Sequence, residues 1–303
     1  MSIPKPVILD ISEWQKPANI NYDNLAKSVD GVIVRVQYGS RKIDNHYKTH
    51  IKELQKRKVP VGVYAWIRGT SVADMEKEAT DFWNLAKEFN PTFWWLDVEE
   101  KSMNDMRAGA EAYRKKLKAL GAKKVGAYIA NHLYASLNLD VAKFDGIWIP
   151  TYGSNNGQYN GSNPTATTNY DIHQYTDKGN LHGINGSVDL NRIVRKGFDY
   201  FFGKASNPSG GSSSGGSKLP SLESIATDTA AGKYGNGKDR EKNLDHLYPG
   251  VQAIINHRAG GSTETAVNVL VKETLKGIYG NGDDRKARLG NYWQPVQEKI
   301  NKG

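Results

Sequence analysis

Four carboxylates stand at or just past the ends of apolar runs: Asp10 closes VILD, Asp97 and Glu99 close FWWLDVEE, and Asp189 lies in SVDLN. An acid in such company is costly to bury without a polar partner or a chemical task. Asp97 and Glu99 are two residues apart, so on an extended strand both side chains leave the same face. Cleavage of a glycosidic bond is a task of that kind. One carboxyl must stay protonated to donate to the leaving oxygen, while a second stays ionised against the developing positive charge. Crowding divides these roles, because neighbouring carboxylates push some pKa values up and leave others low. The bland alternative makes Asp97 a cap for the segment after it, Glu99 and Glu100 a solvated face, and Asp10 and Asp189 turn residues. Four acids at strand ends, two of them on one face, favour the chemical reading.

The elements that must position these acids are visible as runs rich in Val, Ile, Tyr and Trp. They cover residues 6–11, 31–38, 60–67, 93–98, 124–130, 146–152, 170–175 and, more weakly, 187–190. Eight strands are expected. Segments with helical spacing separate the earlier ones, at 44–58, 72–89 and 104–120. Alternating strand and helix implies parallel pairing and a β/α barrel, whose C-terminal strand ends carry active sites. After Ala130 the connections shorten, and 153–168 reads as loop, so the barrel is expected to be irregular in its second half. The fold class is therefore α/β. Aromatics cluster at the same strand ends: Trp14, Tyr38, Tyr64, Trp66, Tyr128, Trp148, Tyr152 and Tyr175. Sugar rings stack on such faces, although core filling explains an aromatic equally well, and for Trp94 and Trp95 core is the preferred reading, split by strand face.

Residues 204–218, KASNPSGGSSSGGSK, read as a flexible Gly/Ser linker between a catalytic unit, 1–203, and a smaller C-terminal one. The smaller unit repeats itself. Gly235, Asn236, Gly237, Asp239, Arg240, Leu244, Val251, Gln252 and Asn256 recur as Gly280, Asn281, Gly282, Asp284, Arg285, Leu289, Val296, Gln297 and Asn301, all at the offset 280 − 235 = 45. Two copies of one module follow, at 219–259 and 264–303, each reading as three short helices in a small bundle.

The formal net charge of +9 favours a polyanionic partner without choosing among nucleic acid, membrane surface and cell wall. Lys and Arg are spread along the chain, which argues against a nucleic-acid binder. With no Cys, disulfides and thiolate chemistry are excluded. His46 and His50 have helical i, i+4 spacing but lack the Glu of a metalloprotease motif, and the GNG turns lack the glycines of a dinucleotide site. No metal or cofactor is expected. No run is long enough to span a bilayer or to serve as a signal peptide, so no membrane insertion is expected and export, if any, must use another route.

The motifs DISEWQ at Asp10, WWLDVEE at Asp97 and Glu99, IHQYT at Gln174 and SVDLN at Asp189 resemble, in order and context, those of glycoside hydrolase family 25 lysozymes, phage endolysins among them. The likeness spans residues 1–203. It implies a modified β/α barrel that cuts the β-1,4 bond between N-acetylmuramic acid and N-acetylglucosamine. By position, Glu99 would be the proton donor, Asp97 its partner and Asp10 and Asp189 supporting acids, with Tyr64, Tyr128 and Gln174 on the substrate. His173 stands where family members often carry an aromatic. The repeats, GKYGNGKDREKNL and GIYGNGDDRKARL, resemble the seven-type cell-wall-binding repeats of phage lysins, which implies binding to the sugar-peptide unit of peptidoglycan; the positive charge suits the anionic walls of Gram-positive bacteria, and the likeness to phage enzymes implies a protein made in the host cytoplasm and released to the wall. Tyr234, Arg240, Tyr279 and Arg285 become candidate wall contacts, the alternative being that they hold each bundle together. A bacterial autolysin, or a wall-binding protein without turnover, shares most of these features. Amide or peptide cleavage would call for Zn ligands or a Cys nucleophile.

Overall fold

The computed structural model describes residues 3–203, 220–244, 247–276, 278–279 and 282–302. The chain divides into two compact units, and the expected linker lies outside the described residues. In the first unit the strands are β1 (Ile8–Ile11), β2 (Gly31–Tyr38), β3 (Lys42–Ile43), β4 (Val61–Trp66), β5 (Trp94–Val98), β6 (Val125–Ile129), β7 (Ile147–Pro150), β8 (Ile172–Gly179) and β9 (Val188–Ile193). Between them run α1 (Tyr22–Ser28), α2 (Tyr47–Lys56), α3 (Val72–Ala86), α4 (Met106–Leu120) and the single turn α5 (Tyr134–Leu137), and α6 (Phe198–Phe202) follows β9.

Eight strands close a barrel in the order β1-β2-β4-β5-β6-β7-β8-β9, with β9 returning to β1 and the small β3 hydrogen-bonded outside, to β2. Parallel pairing holds among the barrel strands from β1 to β8, but β9 runs antiparallel to both neighbours, which is the form taken by the irregularity expected of the second half. The cause is the short stretch 180–187: a parallel return needs a crossover of a dozen or more residues, whereas a short link permits only a hairpin. The helices start where side chains can take up free N–H groups: Asn21 caps α1, Ser71 caps α3 and Asp105 caps α4.

Strand alternation sorts the residues into two cores. Outward residues such as Leu9, Val34, Val63, Trp94 and Leu96 pack under the helices, with the Trp94 ring stacked on Trp83 at 5.0 Å. Inward residues Ile8, Ile33, Phe93, Trp95, Trp148 and Ile172 fill the lower barrel, and Phe201 and Phe202 of α6 join them. Trp95 needs room: a Cβ on Gly126 would lie 2.4 Å from its ring, so the facing strand carries no side chain there.

The second unit is helical: α7 (Leu222–Ala230), α8 (Gly237–Leu244) and α9 (Tyr248–Arg258), then α10 (Thr263–Leu275), α11 (Gly282–Leu289) and α12 (Trp293–Lys302). The two copies match in detail. Thr229 Oγ1 donates to the Ile225 carbonyl at 2.7 Å and Thr274 Oγ1 to that of Leu270 at 2.7 Å. Leu244 and Leu289 are buried alike, as are Val251 and Val296. They do not stand as separate bundles, however; Leu222, Ile225, Val251 and Ile254 share one apolar core with Val267, Leu270, Leu289 and Val296. No helix among the described residues is long and apolar enough to cross a membrane.

Candidate active site

The barrel register sets the floor of the site. Arg35 pairs with Tyr64 and Tyr64 with Trp95 on one level. One step toward the mouth, Trp66 pairs with Asp97 and Asp97 with Tyr128. Across the β1–β9 junction Asp10 lies in register with Asp189. The cavity above is lined by Asp10, Asp97, Glu99 and Asp189 together with Ser12, Trp14, Arg35, Tyr64, Trp66, Tyr128, Trp148, Tyr152 and Gln174. All four acids named from the sequence therefore meet in one place. Asp97 does not cap the next helix, whose cap is Asp105. Nor do Glu99 and Glu100 form one solvated face. Glu99 turns into the cavity, while Glu100 turns away to accept from Trp66 Nε1 at 2.9 Å and Arg68 Nε at 2.6 Å.

Electrostatics divides the acids into two pairs. Asp97 and Glu99 are hydrogen-bonded to each other, and burial followed by the neighbouring charge of Glu99 pushes Asp97 well above the usual carboxylate range. Burial likewise lifts Glu99 to about 7, against the lowering effect of the hydrogen bond from Asp97. Two neighbouring buried acids do not both ionise readily, so the pair keeps a proton toward neutrality. Asp97 Oδ1 is buried and makes no hydrogen bond within the protein. Asp10 is pushed well up by burial and then by Asp189, and Asp189 is pushed to about 6, chiefly by burial.

Polar side chains orient the second pair. Asp10 Oδ2 accepts from Asn191 Nδ2 at 2.7 Å and from Gln174 Nε2 at 3.1 Å. Gln174 Oε1 in turn accepts from Tyr128 at 2.9 Å and Tyr152 at 2.7 Å, and Trp148 Nε1 donates to Asn191 Oδ1 at 2.8 Å. Each amide is thus locked in one orientation by its neighbours.

Beneath Asp97 lies a residue that motif reading passed over. Arg35 is 8% exposed, its Nε pairs with Asp44 at 3.0 Å and its terminal nitrogen stands 3.6 Å from Glu13. Its charge lowers the pKa of both Asp97 and Glu99. The signal was present, since a cation inside the run GVIVRVQY is as anomalous as the acid in FWWLD. Ser12 and Asn191 were missed too; small polar residues near an acid carry no pattern of their own.

Two aromatics do not reach the site. Tyr38 backs it, its ring 5.1 Å from that of Trp66 and under the Arg68 guanidinium at 4.8 Å. Tyr175 faces outward into the helix-covered core. His173 is buried, its Nε2 at 2.7 Å from the Thr151 carbonyl and its Nδ1 accepting from Arg192 at 3.1 Å, so it braces the wall of the barrel. Among the described residues no group of three or more His, Cys, Asp or Glu is arranged to hold a metal ion.

In the repeats, Tyr279 is 2% exposed. Its hydroxyl lies where a Cβ on Gly250 would be, at 2.0 Å. It is core, which corrects its candidacy as a surface contact. Tyr234 packs half-buried against the same core. Arg240 donates to the Gly235 carbonyl at 3.2 Å, to Asn236 Oδ1 at 3.0 Å and to Gln252 at 3.5 Å, clamping a turn whose Gly235 and Gly237 hold φ of +73° and +54°. Arg285 reaches Gln297 at 3.5 Å in the same way.

The model of Glycosyl hydrolases family 25 matches residues 9–184 and that of the CW_7 repeat residues 268–303. No curated protein matches. Among solved structures, the glycosyl hydrolase 25 virulence factor GHIP of Streptococcus pneumoniae is 43% identical at a TM-score of 0.63, over 65% of this chain and 93% of that one. The catalytic domain of endolysin ply40, from bacteriophage P40 of Listeria monocytogenes, is 29% identical at 0.60, over 66% and 97%. The modular autolysin LytC of Streptococcus pneumoniae, solved with a synthetic peptidoglycan ligand, is 25% identical at 0.52, over 61% and 46%. A barrel closed by an antiparallel strand, two pairs of acids at its mouth and a family match over residues 9–184, which hold Asp10, Asp97 and Glu99, agree: the chain is a glycoside hydrolase and belongs to glycosyl hydrolases family 25, with a CW_7 repeat at its C-terminal end.

Proposed function

We propose that the protein is an N-acetylmuramidase that cuts the β-1,4 bond between N-acetylmuramic acid and N-acetylglucosamine. The observation that carries this is the pairing of two buried acids, Asp97 and Glu99, both with raised pKa values and so able to keep a proton, in a cavity walled by aromatics. Glu99, at the edge of the pair, delivers that proton to the glycosidic oxygen as the bond to the anomeric carbon breaks. Asp97 then carries the negative charge that faces the developing cation. Water supplies hydroxyl to the anomeric carbon, and its proton returns to the carboxylates. Tyr64, Trp66, Tyr128 and Trp148 shape the walls, while Gln174 and the Asp10–Asp189 pair hold the polar floor.

The second unit would keep the enzyme on its substrate. Two modules, at 219–259 and 264–303, on a tether at 204–218 raise local concentration at a polymeric wall. The repeated Arg–Gln–Asn row, in which Gln252 reaches Asn256 at 2.8 Å and Gln297 reaches Asn301 at 3.0 Å, offers fixed donors for a wall peptide. The net charge of +9 suits the anionic walls of Gram-positive bacteria. Likeness to the Listeria phage endolysin supports a phage enzyme that reaches the wall on release from the host; likeness to LytC keeps an autolysin as the alternative.

Digestion of purified walls tests the reading. The muramidase yields new reducing ends whose N-acetylmuramic acid becomes reducible by borohydride, and Glu99→Gln lowers the rate by roughly a thousandfold or more. New free amines without reducing ends, or full activity in Glu99→Gln, would overturn it.

A further inference from the structure

Trp14 is the largest apolar side chain that the barrel leaves in water, at 75% exposure, and it borders the cavity that holds the four acids. An indole in that position forgoes the gain of removing its apolar face from water, and it adds nothing to either core. Its backbone, by contrast, is fixed from both sides. Ser12 N–H donates to Gln15 Oε1 at 2.9 Å, Gln15 N–H to the Ser12 carbonyl at 3.2 Å and Trp14 N–H to Ser12 Oγ at 3.4 Å. Glu13, one residue before it, donates its N–H to Asp44 Oδ2 at 2.9 Å, and its carboxylate is paired with Arg35 and Lys42. A rigid turn therefore presents an uncovered aromatic face at the mouth of the site.

We propose that Trp14 is a stacking platform for an N-acetylhexosamine ring of the glycan strand, next to the pair of rings whose link is cut. This rests on the muramidase reading and adds a substrate-binding residue to it. A pyranose ring presents a face of C–H bonds, apolar and weakly positive, which packs against the electron-rich face of an indole. The turn holds that face in place before substrate arrives, so little ordering entropy is lost on binding. Because the ring it holds does not react, Trp14 binds ground state and transition state alike. Its loss raises KM and leaves kcat in place.

The test uses the full-length protein and soluble, peptide-free glycan of alternating N-acetylglucosamine and N-acetylmuramic acid, with reducing ends as readout. Trp14→Ala is expected to raise KM roughly tenfold with kcat within about twofold, and Trp14→Tyr to restore most of the affinity. The second measurement needs no turnover: in Glu99→Gln the same glycan should shield tryptophan fluorescence from iodide, and in the Glu99→Gln, Trp14→Ala double variant that shielding should be lost. A wild-type KM in Trp14→Ala, or undiminished shielding in the double variant, would overturn the platform and leave the muramidase standing. A wild-type enzyme that releases no reducing ends would overturn both.

Discussion

Burial is the first cause of the raised pKa values of Asp97 and Glu99, and burial of an acid has a cost in stability that can be read out. Glu99 titrates near 7 in the folded chain against an ordinary 4.5, so the folded state binds more protons than the unfolded one between those values. Its contribution is fully present below about 4.5 and is lost as pH rises through about 7. Glu99→Gln should therefore melt higher than the wild type at pH 8, by an amount on the order of 1 to 3 kcal/mol, and the gap should close near pH 4.5. Thermal melts at the two pH values decide it; a gap that grows toward acid would mean that Glu99 is ionised by a favourable partner instead. At this scale the sequence was informative where a residue contradicted its surroundings. Asp10, Asp97 and Asp189 stood out because acids are foreign to apolar runs. Arg35 stood out equally and had no familiar motif to attach to. Tyr38 and Tyr279 were misplaced because an aromatic at a strand end or in a turn serves core and surface equally well, and only packing partners, Trp66 and Gly250, settle which.

Elements were legible to the degree that their signal is local. Each of the eight runs became a barrel strand, and the three helical stretches became α2, α3 and α4. The direction of β9 was not legible, since it depends on the link before it and on which neighbours are left to pair. Nor was α6, because Phe198–Phe202 looks like the tail of a domain until Phe201 and Phe202 are seen among the inward residues of the barrel. Those inward positions are tightly specified. A methyl group on Gly126 would meet Trp95 at 2.4 Å and the Gly146 carbonyl at 2.8 Å, with backbone on one side and a buried ring on the other. Gly126→Ala should then cost about 1–3 kcal/mol, as overpacking does, despite the usual benefit of alanine over glycine in the unfolded chain. A denaturant midpoint equal to or above that of the wild type would show that the ring can move aside.

At the scale of the molecule, the expected architecture of a catalytic unit followed by two modules needs one revision, and it changes what truncation does. The modules are alike in sequence but share their core: Leu222 and Ile225 of the first lie in one cluster with Val267, Leu270 and Leu289 of the second. Polar ties reinforce this, with Glu223 accepting from Asn291 Nδ2 at 3.0 Å and Arg288 donating to the Pro220 carbonyl at 3.0 Å. Cutting the chain after residue 259 would expose that shared apolar face, so the remaining module should lose its fold and not merely half of the avidity. On whole walls, at dilute enzyme, the full chain is expected to act some tenfold to a hundredfold faster than a chain ending at 203. The chain ending at 259 is expected to resemble the shorter one, and all three should cut soluble glycan at similar rates. Sedimentation with walls and calorimetry of the three chains together measure this. Intermediate wall binding by the chain ending at 259, with a separate melting transition for its single module, would show that each repeat folds and binds alone.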